Sequence, residues 1–186
     1  MAIERYIGGG KIYFAEFNGA DYGNFVEIGE VQKANLKITT EEADAFSKDS
    51  GLKKNVDKVV TAINSNFSFT TTNVNKENMA KAMFGALETE EFKKDDELPD
   101  GSIASEDITL PVIIGGVNPI VQGKLKIVGV NVAGSSSPCL IIHHLFLKPS
   151  GDVRDYFTDK HSELSFDGEI VEKDGQYFKE YFIPKS

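Results

Sequence analysis

The sequence predicts a mainly β fold: an antiparallel β-barrel or sandwich with one short α-helix packed on its side and a long inter-strand loop. Three observations carry that expectation. Apolar and polar residues alternate with period two over most of the chain. A single stretch repeats its apolar residues with helical spacing. No internal repeat, and no linker rich in Pro, Gly or Ser, divides the 186 residues, so residues 1–186 read as one domain.

Residues 1–10 read as a flexible N-terminal arm. The triplet Gly8–Gly10 precedes a strand and not a helix, so no helix N-terminus is there to cradle a phosphate. Lys11–Phe17 (KIYFAEF) has strand composition and runs into the turn signal NGADYGN. Phe25–Val31 and Ala34–Thr40 are two short runs that read as a hairpin turning at Gln32–Lys33. Glu41–Asp57 then reads as a loop longer than a hairpin requires, and loops of that length are functional or disordered. It holds Phe46, Leu52 and Val56 among charges of both signs, which suits a segment that docks onto something.

The clearest strand is Lys58–Thr72, with Val59, Thr61, Ile63, Ser65, Phe67 and Phe69 on one face. Its length suggests that it crosses a whole barrel or sandwich. The helix follows, about ten residues capped by Asn75, with Glu77 in its first turn and Gly85 at its end. Met79, Ala82 and Met83 recur at i, i+3, i+4, and Ala80 with Phe84 forms a second pair, so this side docks on a sheet. Beyond it, Ala86–Asp107 holds nine acids and two lysines, whereas Ile108–Gly151 holds three lysines and no acid. The acidic stretch (residues 86–107) reads as a solvated, mobile loop.

Strands resume at Ile108–Ile114, Gly123–Val132 and Pro138–Lys148. The last is apolar on both faces and so needs cover on both, from its own fold or from a partner. His161–Glu172 alternates, with Leu164, Phe166 and Ile170 on one side and Glu163, Asp167 and Glu169 on the other. Tyr177–Ile183 is a final strand.

The chemistry-bearing residues form no catalytic, cofactor or metal constellation. Net charge is −9, which argues against tightly held nucleic acid, since phosphates need Lys and Arg to neutralise them. Cys139 is the only cysteine, so an internal disulfide and a Cys-rich zinc site are excluded and a reducing cytosol is expected; it reads as a small buried hydrophobe. His143 and His144 are adjacent in a strand and should point to opposite faces, too far apart to share a metal. Cys139 and His143 are four strand residues apart, roughly 13 Å, too far for a nucleophile and its base. His161 could meet Asp159 and Glu163, but no apolar pocket is implied there. No enzyme activity, cofactor or membrane anchor is expected: no apolar run approaches a membrane span, and MAIERYIGGGKIYF lacks the pattern of a secretory leader.

The segments GGGKIYFAEF, EIGEVQKANLKITTEEADAFSKDSGLKKNVDKV and NSNFSFTTTNVNKENMAKAMFG resemble the major tail tube proteins of long-tailed bacteriophages and prophages, with residues 8–85 carrying most of the likeness. The later segments GKLKIVGVN and FDGEIVEKDG fit in outline. The resemblance implies a virion structural subunit that self-assembles into stacked hexameric rings, a tube through which DNA passes on ejection without specific binding. Its partners would be further copies of itself and other tail proteins: tape measure, tail tip or baseplate, and terminator. It would reside in the host cytoplasm during assembly and then in the virion tail.

Carried over by position, Glu41–Asp57 becomes the ring-stacking arm, with Phe46, Leu52 and Val56 as apolar contacts and Lys53 and Lys54 as charged ones. Met79, Met83 and Phe84 pack the helix on the barrel. An acidic lumen would repel phosphate and let DNA slide, and Glu163, Asp167 and Glu169 are the candidates for it.

Rival readings are the tube protein of a contractile tail, tailocin or type VI secretion system, and a β-sandwich carbohydrate-binding or adhesin module. The module would want clustered aromatics, but Trp is absent and the six Tyr are scattered. A hydrolase would need convergent titratable groups.

Overall fold

The structure, a computed structural model, describes residues 8–47, 54–131, 135–154 and 162–185. Among them nine strands and one helix follow in the order β1 (Gly8–Glu16), β2 (Val26–Ser47), β3 (Lys54–Thr71), α1 (Lys76–Ala82), β4 (Ala86–Phe92), β5 (Ile108–Ile114), β6 (Val121–Asn131), β7 (Ser136–Pro149), β8 (Leu164–Ile170) and β9 (Phe178–Pro184). The fold is mainly β, and its strand pairs are all antiparallel.

Six strands close into a barrel. The order β6-β1-β2-β3-β8-β7 returns to its start because β6 also pairs with β7, Val121 opposite Leu147 through Val128 opposite Cys139. β8 and β9 share the other edge of β7, β8 along Leu145–Pro149 and β9 along Ser136–Ile142. Closure removes sheet edges that would otherwise invite uncontrolled pairing. The alternating residues Phe67 and Phe69 on β3, Leu125 on β6, Ile142 and Leu145 on β7 and Phe166 on β8 point inward and are almost fully buried. Phe69 stacks on Phe166 with centroids 5.2 Å apart. Truncating any of these aromatics to Ala would cost about 3–5 kcal/mol.

α1 lies at the end of the barrel where β3 finishes. Asn75 caps it, its side chain accepting from the N–H of Asn78 at 2.8 Å. Met79 and Ala82 join the core, while Met83 and Phe84 pack against its margin. Gly85 was expected to end the helix, but the left-handed residue is Phe84, at φ 49°. The N–H of Gly85 reaches the carbonyl of Ala80 at 2.8 Å, and that of Phe84 reaches Lys81 at 3.2 Å, the paired bonds of a Schellman end. Gly85 is needed for space instead: a Cβ there would lie 2.7 Å from the carbonyl oxygen of Ile114.

Four local expectations are corrected. Phe25–Val31 and Ala34–Thr40 are not two arms of a hairpin but parts of the single 22-residue β2, with a register shift between Val31 and Lys33. Glu41–Asp57 is not a loop: β2 continues to Ser47 and β3 begins at Lys54, so a paired ribbon occupies most of it. The acidic stretch is not wholly a loop either, since Ala86–Phe92 is β4, paired with β5 throughout. The rest of that stretch is tied down by turn bonds, including Lys93 N–H to Asp96 at 2.6 Å and Lys94 N–H to Asp107 at 2.9 Å. At the N-terminus, Gly8–Gly10 belong to β1 and pair with Gly129–Asn131; residues 1–7 lie outside the described residues.

Candidate interaction surface

The β2–β3 ribbon outruns the barrel. β1 pairs with β2 only as far as Glu30, and β8 pairs with β3 only from Ser65. From Thr39 opposite Asn64 to Ser47 opposite Lys54 the two strands have only each other. That arm is nine residues long on the β2 side, roughly 30 Å at strand rise. It is held by its ladder, by Thr61 donating to the carbonyl of Glu41 at 3.2 Å, by Asn64 donating to the Glu41 carboxylate at 3.0 Å, and by a Lys58–Glu42 ion pair. Apolar side chains are exposed on it: Phe46, Val59, Val60 and Ile63 are each about half exposed, as is Ile38 at its root.

Of the stacking residues expected from sequence, Phe46 lies on this arm opposite Asn55, and 47% of its surface is exposed. Lys54 starts β3 opposite Ser47, and Val56 follows in the same strand. Leu52 and Lys53 lie outside the described residues. The helix residues Met79, Met83 and Phe84 are on the core side, as expected.

The outer wall of the barrel has two characters. On β2, β3 and β8 it is polar: Lys33, Asn35 and Lys37 stand opposite Thr70, Ser68 and Asn66, which in turn face Ser165, Asp167 and Glu169. Thr70 and Ser165 share a 2.9 Å hydrogen bond across it. Asp167 and Glu169 therefore belong to a continuous hydroxyl- and amide-rich face, and Glu163 is exposed just before β8. On β6, β7 and β9 it is mixed: Val130, Tyr181 and Ile183 are about half exposed, while Ile141 stands between Lys126 and Lys179. β7 is thus apolar on both faces, as its sequence suggested, and its outer cover is incomplete.

The histidines depart from expectation. Gly123 stands opposite Leu145 and Leu125 opposite Ile142, so His143 and His144 together oppose the single residue Lys124, a β-bulge. Ile142 and Leu145 both face the core, so neither histidine does. Tyr22 links His144 to the surface: its hydroxyl lies 2.8 Å from His144 Nδ1 and accepts from Lys173 Nζ at 3.0 Å. With Lys173 donating to the Tyr22 oxygen, the hydroxyl proton can be given to Nδ1 when His144 carries its own proton on Nε2. Burial, then Lys124 and Lys179, hold His143 below the usual imidazole range, outweighing Asp174; burial and Lys173 do the same for His144. The cluster was missed in the sequence because its members come from four separate segments.

Two of the tyrosines lie under lysines. Lys126 covers the Tyr13 ring at 4.7 Å and Phe25 at 4.6 Å, and Lys173 covers Tyr22 at 4.3 Å. These faces are occupied by ammonium groups. Cys139 is buried, as expected. Asp159 and His161 lie outside the described residues. Among the described residues no group of three or more His, Cys, Asp or Glu side chains converges as a metal site would require.

The sequence profile of the family described as "Protein of unknown function UCP028589" matches residues 5–117. The chain belongs to that family. The matched segment spans β1 to β5 and so includes the arm, the helix and the acidic hairpin; β6 to β9 lie beyond it. No curated protein matches the chain.

Proposed function

We propose that this family member is a structural subunit that assembles into stacked rings, forming a tail tube of the phage or prophage kind through which DNA passes. The arm carries the reading. A two-stranded ribbon with half-exposed valines, isoleucines and a phenylalanine is a poor structure for a subunit that stays alone, because such ribbons are marginal in water and gain by packing. It suits a subunit whose neighbours supply the missing cover.

The two outer walls fit the same reading. The half-exposed Val130, Tyr181 and Ile183 on the wall of β6, β7 and β9 are suited to burial between subunits, whereas the polar wall of β2, β3 and β8 is suited to a water-filled lumen. On that polar wall Asp167 and Glu169 offset Lys33 and Lys37, so phosphate meets no net positive surface there, and the overall charge of −9 disfavours adhesion. No residue in this scheme performs chemistry; the work is done by shape and self-association.

Negative-stain electron microscopy of the purified chain, dilute and after concentration, tests it. Rings or hollow tubes of uniform width with axial striation are the expected outcome. A chain that stays monomeric at every concentration, also when mixed with preformed tail tips, would remove the proposal.

A further inference from the structure

Two turns that lie far apart in the chain are fastened to each other at the bulge of β7. The first joins β1 to β2. Phe17 and Tyr22 bridge its ends, and the Asn18 side chain accepts from the N–H groups of Ala20 at 3.0 Å and Asp21 at 2.9 Å. The second joins β8 to β9, where Lys173 and Gln176 pair across Asp174, a left-handed residue at φ 54°. The rings of Phe17, Tyr22 and His144 meet with centroids 5.0, 5.6 and 6.0 Å apart, and Phe146 stands edge-on to His144 at 5.3 Å. Against these rings the second turn sets the Lys173 ammonium, 5.4 Å from the Phe17 centroid, where it also donates to the Tyr22 hydroxyl. The two turns are thus joined through one phenol oxygen, shared by an imidazole and an ammonium.

We infer that Tyr22, His144 and Lys173 form an acid-sensitive clasp, which opens both turns when His144 takes up a proton. The clasp lies within one copy and is independent of the assembly reading. It holds while Nδ1 of His144 is bare to receive the Tyr22 proton. A proton there turns the acceptor into a donor, so the tyrosine must direct its own proton elsewhere, and an imidazolium faces an ammonium across one oxygen atom. The surroundings offer little relief. Lys124 on β6 lies over the same Tyr22 ring at 5.3 Å. Lys179 on β9 and Asp174 in the second turn act on the neighbouring His143, where the lysines prevail, and Lys173 is the charged group that bears on His144. Asp21 in the first turn is engaged by the Tyr22 N–H at 2.8 Å, and Glu169 on β8 stands opposite Phe146. His143 is a poor alternative for the proton. Its Nε2 is buried without a hydrogen-bond partner among the described residues, and an imidazolium would place an N–H there. The barrel is held otherwise: main-chain bonds from Phe17 to Gln122 and from Val171 to the His144 carbonyl do not titrate, so the turns loosen while the ladders stay closed.

Hydrogen exchange of the full chain, read by mass spectrometry and corrected for the intrinsic rate at each pH, tests it. Between about pH 7.5 and about pH 5, protection of peptides covering 18–24 and 171–177 should fall about tenfold, while β3 and β6 keep theirs. The midpoint of that loss should coincide with the titration of the His144 imidazole followed by NMR. Equal protection at both pH values, a loss spread evenly over the barrel, or a midpoint away from that titration overturns the inference. His144→Gln supplies an oxygen acceptor that does not titrate, so both turns should stay protected at either pH, whereas His143→Gln should keep the parent's response. Loosening by acid in His144→Gln, or its disappearance in His143→Gln, overturns the clasp as well. The parent measurement decides alone if a substitution disturbs the fold.

Discussion

Asn78 ties three parts of the chain together. It is 4% exposed, and its amide donates to the carbonyl of Ile28 at 2.7 Å and to that of Asn73 at 2.9 Å. Asn73 donates to the same Ile28 oxygen at 3.0 Å, so β2, the turn after β3 and α1 meet at one acceptor. The approach is possible because residue 29 is glycine at φ 111°, where a Cβ would sit 2.4 Å from Asn73 Nδ2. Asn78→Ala leaves the Asn73 carbonyl without that buried donor and should destabilise the fold by about 2 kcal/mol. The shift of the urea midpoint measures it, and an unchanged midpoint would show that the bonds contribute nothing. In sequence Asn78 looks like one more polar helix residue, because its partners are set by tertiary contact.

The histidine bulge makes a pH prediction at the same scale. Both imidazoles titrate below 6.5 when folded and near 6.5 when unfolded. Just below 6.5 the unfolded chain therefore binds more protons, so their contribution is complete above that pH and is lost as the pH falls beneath it. The urea midpoint should drop between about pH 7.5 and about pH 5, and His144→Phe should flatten part of that drop. A pH-independent midpoint in the parent would refute the assignment. The bulge was invisible in sequence because alternation along β7 assumes one residue per partner, and Lys124 takes two.

At the scale of elements, most strands could be read from alternation, and the helix from its cap and Met spacing. The arm could not. Register shifts between Glu41 and Glu42 and between Ala45 and Phe46 each move the apolar residues to the other face, so period two fails where the strand continues. Charges of both signs then made Glu41–Asp57 look like a loop, although cross-strand pairs such as Lys58 with Glu42 hold it extended. The arm lies outside the barrel, which makes its removal informative. Deleting Phe46–Val56 should change the melting temperature by no more than about 2 °C, since the core is untouched, and should abolish long tubes. Normal polymerisation of the shortened chain would show that the arm has no part in assembly.

For the whole molecule, the sequence indicated a single mainly β unit with one helix and correctly separated the two faces of β8. It could not indicate which strands close the barrel or that the polar residues of β2, β3 and β8 form one outer wall. Those follow from pairing between distant segments. The same limit explains why the candidate surface was only partly legible: Phe46 was singled out, whereas Phe182, 66% exposed, takes its place from the pairing of β9 with β7.

The closure of β1 against β6 also sets a timetable for synthesis. Lys11 pairs with Val128, more than a hundred residues later in the chain. A ribosome adding 5–20 residues per second would emit the first strand roughly 5–25 seconds before its closing neighbour exists. Until then β1 has no β6 to pair with, and pairing over such separations is slow. The nascent chain is therefore most exposed to wrong pairing with other nascent copies in the interval before β6 emerges, so the speed of translation through the acidic hairpin bears directly on the yield of folded subunits.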